Sequence, residues 1–300
     1  MDKEIFDDFP SKENLVRILQ KTIEKSWKND MVERDIEEWL DNFKGEVFEK
    51  DTEQLLALWL LCNFTFYNQD DVRHLCKILY NSFFHQVIID FSLSNEEEIN
   101  EYMNNVSYAA IGRASESGNY LLYDFRQEAD LNINKFFYPT NIKSDESTIV
   151  AFVDDVILSG TTATKFVKNN LKDLKCKKIY YLTLFATESA VEKLKKSNVE
   201  VVYCSILGER NQCFSEKSII FSKYKKLFDP AKKVAMHYGK KLVPKDPLGY
   251  KNGQYSFGFY YNTPNNSLPI FWSSINSWIP IFERRVKRRN DRKRKFKNFI

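Results

Sequence analysis

The residue types best suited to chemistry lie together in one run, Ile149-Val-Ala-Phe-Val-Asp154-Asp155-Val156-Ile157-Leu158-Ser159-Gly160-Thr161-Thr162. Two adjacent carboxylates can accept hydrogen bonds from a sugar diol, but their charge would repel a phosphate. Gly160 and its small neighbours let backbone N–H groups turn inward on an anion, and Ser159, Thr161 and Thr162 add hydroxyl donors. A helix starting just after them would point its positive end at the same place. One loop could thus hold both ends of a ribose 5-phosphate. An acidic pair alone would do no more than cap a strand-to-helix turn; the donors that follow it favour a ligand site. No Gly-Lys-Ser/Thr follows, so this is not a Walker loop.

Such a loop needs a rigid base. Thr148 to Val153 is a near-continuous apolar run, as expected of a strand covered on both faces of a parallel sheet. A helix is predicted from about Thr162 to Leu174, strands over Ile179–Phe185 and Val199–Ile206, and a helix around Ala190–Lys196. Upstream, Val106–Ile111 reads as a strand, Gly112 to Gly118 as a loop, and Tyr120 to Phe125 as part of a helix. Strands alternating with helices predict right-handed crossovers and a parallel sheet.

The first hundred residues read as a helical bundle. Ser11 can cap a helix carrying Leu15, Ile18, Leu19, Ile23 and Trp27. Ile36, Trp39, Leu40 and Phe43 form a second stripe, with Gly45 as its stop. Asp51 and Gln54 resemble a capping box opening an apolar helix that reaches about Phe66. Asn68 precedes another helix, and Glu96–Glu98 lie near the start of one more. From Pro244 the chain turns rich in Gly, Pro, Asn and aromatics, with Tyr255–Tyr261 an expected edge strand.

The strand, the two acids, two apolar residues and Ser159-Gly160-Thr161-Thr162 together resemble the signature of the type I phosphoribosyltransferases. The resemblance implies an α/β fold whose core is a five-stranded parallel sheet, here carrying an N-terminal α-helical domain and a C-terminal extension. The expected divisions are 1–104 helical, 105–243 the phosphoribosyltransferase-like core, 244–285 a hood or completing segment, and 286–300 a basic tail. It also implies binding of 5-phosphoribosyl-1-pyrophosphate with magnesium. Asp154 and Asp155 would hold the ribose hydroxyls, and with them the magnesium through hydroxyls or water. Ser159, Gly160, Thr161 and Thr162 would hold the 5-phosphate. The loop Arg113–Gly118 matches the family's pyrophosphate loop in position, with Arg113, Ser117 and Gly118 as contacts. Two departures stand out. Leu158 occupies a position where some members carry an Asp able to act as general base, and leucine moves no proton. Only about twenty residues separate Gln127 from Thr148, so the family's mobile closing loop is shortened.

Pro247-Leu-Gly-Tyr250, the run Asn262-Thr-Pro-Asn-Asn-Ser-Leu-Pro-Ile-Phe-Trp272, and Trp278-Ile-Pro-Ile-Phe-Glu-Arg284 resemble phosphoribosyltransferase-like proteins of bacterial conflict systems. Some of those accompany retron reverse transcriptases as candidate antiphage effectors. The implied partners are a phosphoribosyl-containing small molecule and a reverse transcriptase with its RNA or DNA product; homo-oligomerisation stays open. The Asn-rich segment, with Asn265 and Asn266 followed by Trp272 and Trp278, could form a hood that stacks and hydrogen-bonds a base, or a structural corner.

Charge is split. Residues 1–105 hold 23 acidic and 11 basic side chains, a net −12, while the rest carries +16. Arg284 to Lys297 holds ten Lys or Arg against one Asp, a stretch that could meet nucleic-acid phosphates or simply be solvated. Five scattered cysteines with no CxxC pair and an acidic start lead us to expect reduced thiols and a cytoplasmic protein. No apolar run is long enough to span a bilayer. The three histidines show no metal spacing, and no GxSxG or HExxH appears.

Overall fold

The computed structural model describes residues 6, 8–31, 33–111, 117–142, 148–170 and 175–284. Arg113 and most of its loop, and the basic tail from 285, lie outside them.

The core sheet has four parallel strands in the order β2 (Val106–Ala110), β3 (Ile149–Ile157), β4 (Lys178–Ala186) and β5 (Glu200–Ile206). Both faces are covered, which is why β3 and β4 read as unbroken apolar runs. On one face Tyr108, Ala151, Val153, Tyr180 and Leu182 pack under α4 (Gln69–Phe91) and α6 (Ser117–Glu128). On the other, Val150, Phe152 and Tyr181 meet α7 (Thr161–Asn170) and α8 (Glu188–Lys195).

The resemblance leads one to expect five strands. Among the described residues the fifth is reduced to a bridge, with Phe136 parallel to Tyr108 and the Phe137 N–H donating to the Tyr108 carbonyl at 2.9 Å. Pro139 then opens a short 3-10 turn, and a residue without an N–H cannot extend the ladder. This stub fixes the topology. The chain leaves β2 outward to the Phe136 bridge, then crosses back to β3 on the other side of β2. Successive connections therefore diverge at the carboxyl ends of β2 and β3, the crevice where open α/β sheets bind ligands.

A second core joins the two ends of the chain. Helices α1 (Lys12–Thr22), α2 (Glu33–Leu40) and α3 (Lys50–Cys62) pack against α9 (Phe228–Leu242) and α10 (Pro269–Trp272) through Trp39, Phe43, Tyr238, Phe271 and Trp278. Their aromatic rings meet at centroid distances such as 5.0 Å for Phe43–Tyr238 and 5.2 Å for Phe43–Trp278. The packing therefore cuts across the expected divisions. The first three helices share a core with residues 213–282, whereas α4 belongs to the sheet layer, next to α5 (Glu96–Asn104).

Helix α1 is capped as expected, with the Asn14 N–H donating to Ser11. Asn68 and Asp71 form a reciprocal capping box on α4. Asp51 and Gln54 form none: α3 starts at Lys50, and the Gln54 amide donates to the Leu40 carbonyl instead. Glu53, fully buried, accepts from the N–H groups of Gly45, Val47 and Phe48 and from the Tyr238 hydroxyl, so the turn before α3 is organised around its carboxyl oxygens. The helix also ends at Cys62, short of the expected Phe66. Asn63 caps it through the Trp59 carbonyl, which frees β1 (Thr65–Tyr67) to pair in parallel with β6 (Phe257–Phe259). No helix among the described residues is long and apolar enough to cross a membrane.

Candidate functional site

At the carboxyl end of β3 the strand leaves the covered part of the sheet with its two acids side by side. Asp154 follows the face of Val150 and Phe152, and accepts a 2.5 Å hydrogen bond from the Tyr181 hydroxyl on β4. Its other oxygen accepts from the Asp155 N–H at 3.0 Å. Asp155 is buried and accepts from the Val156 N–H at 2.9 Å. Burial, and then the neighbouring Asp155 charge, hold the Asp154 carboxyl well above the usual carboxylate range. A ligand bearing donors would offset part of the cost of ionisation by hydrogen-bonding the two carboxyls.

Two other groups face this pair. Tyr261 stacks flat on Phe259, and its buried hydroxyl has no hydrogen-bond partner among the described residues. Burial, and then Asp155, push its ionisation far upward. Arg284, from the end of the described chain, donates to the Thr263 carbonyl at 2.5 Å; burial pushes its guanidinium down while Asp155 pulls it back up.

After β3 the chain turns through Ser159 and Gly160, whose φ of +61° suits glycine, and enters α7 at Thr161. The first N–H groups of that helix have no intrahelical acceptor. The Thr161 hydroxyl lies 3.3 Å from Ser159 Oγ, 3.3 Å from Lys193 Nζ and 2.7 Å from Lys251 Nζ. Lys193 comes from α8 and also reaches the Ser159 carbonyl at 3.3 Å. Neither lysine forms an ion pair among the described residues. Two ammonium groups, a helix start and two hydroxyls thus converge where acceptors are scarce, and an anion would supply what is missing.

Lys251 is placed by the Asn-rich segment. The Asn266 amide donates to the Tyr250 carbonyl at 3.0 Å, and the Tyr250 N–H donates to the Asn265 carbonyl at 2.8 Å. Gly249, at φ +93°, packs so closely that an added Cβ would lie 2.3 Å from the Asn266 carbonyl oxygen. Lys251 itself is held at φ +53°.

The structure therefore brings Asp154, Asp155, Ser159, Gly160 and Thr161 together, with Thr162 exposed on the first turn of α7. Gly118 sits beneath them: an added Cβ would meet the Ile111 carbonyl oxygen at 2.9 Å and the Val153 carbonyl oxygen at 3.5 Å. Ser117 opens α6 beside it, and Arg113 lies outside the described residues. Asn265 and Asn266 are joined to the 159–162 loop through Tyr250 and Lys251. Of the hood and the structural corner left open by the sequence, Trp272 and Trp278 fit the corner. Both are buried, and their indole N–H groups donate to the Ser267 and Ile270 carbonyls, since the chain's own turns use them as core. Lys193, Lys251, Tyr181, Tyr261 and Arg284 were not anticipated. Only Tyr181 had a local signal, as an alternate residue on a buried strand. The lysines are distant in sequence and carry none.

A magnesium ion fits this donor set sparingly. Among the described residues no group of three or more His, Cys, Asp or Glu side chains gathers. Magnesium commonly keeps several waters and uses one or two carboxylates beside substrate oxygens, which the acidic pair can supply. A cavity of about 690 Å³ lies elsewhere, between α1, α2 and α3, lined by Lys12, Arg17, Glu33 and Glu37 among others. It carries no comparable convergence of groups.

Residues 36–284 match the PRTase-CE family. Among solved structures, the chain is similar to the orotate phosphoribosyltransferase of Aeropyrum pernix at 18% identity, covering 36% of this chain and 62% of that one, with a TM-score of 0.27. It is also similar to the AQ2163 protein of Aquifex aeolicus at 11% identity, covering 59% of this chain and 86% of that one, with a TM-score of 0.30. The chain thus spans less than two thirds of the Aeropyrum enzyme. No curated protein matches the sequence.

Proposed function

Because this chain belongs to the PRTase-CE family, with a phosphoribosyltransferase-like α/β core, we propose that the end of β3 binds a phosphoribosyl compound and acts on it. The observation that carries this reading is the placement of the acidic pair and the donor-rich loop on consecutive turns of one rigid element. Asp154 and Asp155 take the ribose diol. Ser159, Gly160, Thr161 and Thr162, with Lys193 and Lys251, take the 5-phosphate. Held at both ends, the sugar presents its anomeric carbon to the crevice between β2 and β3, and Arg113, Ser117 and Gly118, which follow β2 in sequence, are the residues we assign to a leaving pyrophosphate.

The work left to the protein is orientation and charge stabilisation. The bond from the anomeric carbon to the leaving oxygen breaks with its electron pair on pyrophosphate, and an acceptor's lone pair closes on that carbon. A magnesium ion held through Asp154 and Asp155 would neutralise charge on the phosphate oxygens. The chain's own groups keep the ribose fixed and the site dry.

Biologically, we place this activity in bacterial antiphage defence of the retron type, with a reverse transcriptase and its nucleic-acid product as partners. The support is the sequence resemblance described above and the basic balance of the C-terminal two thirds. A second reading rests on Leu158. Its side chain is partly buried among apolar neighbours and can take no proton, which favours a nucleotide-sensing module without turnover.

Calorimetric titration with 5-phosphoribosyl-1-pyrophosphate and magnesium, followed by a pyrophosphate-release assay over candidate acceptors, tests both readings. Binding with release supports the enzyme; binding with none supports the sensor; no binding removes both. Asp154→Asn with Asp155→Asn should abolish binding, and any defence phenotype, without unfolding the protein.

A further inference from the structure

Beside the acidic pair, four aromatic rings stand in a nearly parallel tier. Phe185 and Phe259 are 6.0 Å apart at 20°, Phe259 and Tyr261 are 5.4 Å apart at 4°, and Tyr261 and Tyr120 are 6.0 Å apart at 6°. The inner three are packed in the protein. The outermost, Tyr120, is 56% exposed. Exposed tyrosines usually turn freely, but this one is backed on one face by a fixed ring. Tyr261 is itself clamped edge-on by Tyr260 at 86°, whose hydroxyl donates to the buried Asp124 at 2.7 Å. Tyr120 also stands on a fixed base. It lies two residues after Gly118, which is wedged against the Ile111 and Val153 carbonyls, one residue before Asp154.

The tier meets the acidic pair at its third ring, Tyr261. Tyr261, in contact with Tyr120, lies close enough to Asp155 and Asp154 to feel both charges, and its buried hydroxyl lacks a partner among the described residues. A ribose on the acidic pair would have Tyr261 at its side and the free face of Tyr120 one ring further out.

We propose that Tyr120 is the stacking platform for the base of a bound nucleotide, so that the favoured ligand is a nucleoside 5′-monophosphate unit rather than a bare phosphoribosyl group. This rests on the ribose-phosphate reading above and extends it. A preorganised ring gains stacking at little entropic cost, and every base offers a π face. With the two tryptophans of the C-terminal segment buried, Tyr120 takes the role that segment could not.

The test compares ribose 5-phosphate with adenosine 5′-monophosphate on the full chain by calorimetry. Wild type should bind the nucleotide about tenfold more tightly than the sugar phosphate, within the range of one base–aromatic stack. Tyr120→Ala should lower nucleotide affinity to the sugar-phosphate level and leave ribose 5-phosphate unchanged. Tyr120→Phe should restore it. Equal affinities in wild type, or a Tyr120→Ala loss that falls on both ligands alike, would overturn the proposal while leaving the sugar site standing. Failure of both ligands to bind would instead remove the sugar site on which it depends. An exposed ring is a mild substitution, and a thermal melt of each variant separates unfolding from lost binding.

Discussion

Lys251 donates to the Thr161 hydroxyl across 2.7 Å, joining a C-terminal loop to the start of a helix ninety residues earlier in the chain. The contact explains why the Asn-rich segment and the strand–loop motif occur in one protein. Asn266 fixes Tyr250, Tyr250 precedes Lys251, and Lys251 completes a loop that otherwise has hydroxyls, a helix start and a single cation. The same segment sends Tyr261 and Arg284 toward Asp155. The C-terminal extension is therefore part of the site rather than an appendage to it.

Removing either cation should weaken anion binding without disturbing the fold. Lys193→Ala and Lys251→Ala are each expected to cost about tenfold in affinity for ribose 5-phosphate, near ~1.4 kcal/mol for one charge-assisted hydrogen bond. Titrations at two salt concentrations should also show a shallower salt dependence in each variant. Unchanged affinity would mean that the lysines serve only the protein.

Gly249→Ala should act at a distance. The position is left-handed, and the new methyl would lie 2.3 Å from the Asn266 carbonyl oxygen. A loss of roughly 2–3 kcal/mol in urea unfolding is expected from strain of this kind. Affinity for the sugar phosphate should fall as well, because the loop carrying Lys251 has to shift. The residue touches no ligand, so retained affinity in a destabilised variant would uncouple that loop from the site.

The acidic pair should make stability depend on pH in a particular sense. Burial and the Asp155 charge raise Asp154 above its ordinary 3.8. The folded protein thus binds more protons than the unfolded chain between that value and the raised one, and this contribution to stability declines as pH rises through the interval. Asp154→Asn should flatten that slope in thermal melts and raise the melting temperature most at the alkaline end. Ribose binding to the ionised Asp154 carboxyl should strengthen with pH in wild type and lose that dependence in the variant.

Much of the fold was legible because both faces of the sheet are covered. The runs at Thr148–Val153 and Ile179–Phe185 carry the parallel-sheet signal directly, Ser11 caps the helix it was expected to cap, and a helix follows Asn68 as expected. The loop motif placed Asp154, Asp155, Ser159, Gly160 and Thr161 at one strand end for the same reason: strand, turn and helix are contiguous. What stayed hidden depends on contacts between distant residues. Glu53 looks like an ordinary first-turn acid until Tyr238 and three backbone N–H groups surround it. Thr65–Tyr67 is too short to declare itself a strand without β6. Lys193 and Lys251 are two among many lysines, and only the tertiary fold brings them to one hydroxyl. Trp272 and Trp278 stayed ambiguous because aromatic residues in a Pro- and Asn-rich stretch suit a base-binding hood and a buried corner alike.

The most direct measurement is a crystal structure of the protein with ribose 5-phosphate. The phosphate is expected within hydrogen-bonding distance of Lys193 Nζ, Lys251 Nζ and the 159–162 loop, with the sugar diol on Asp154 and Asp155. A phosphate bound elsewhere, or a loop left empty at saturating ligand, would contradict the assignment of this strand end as the site.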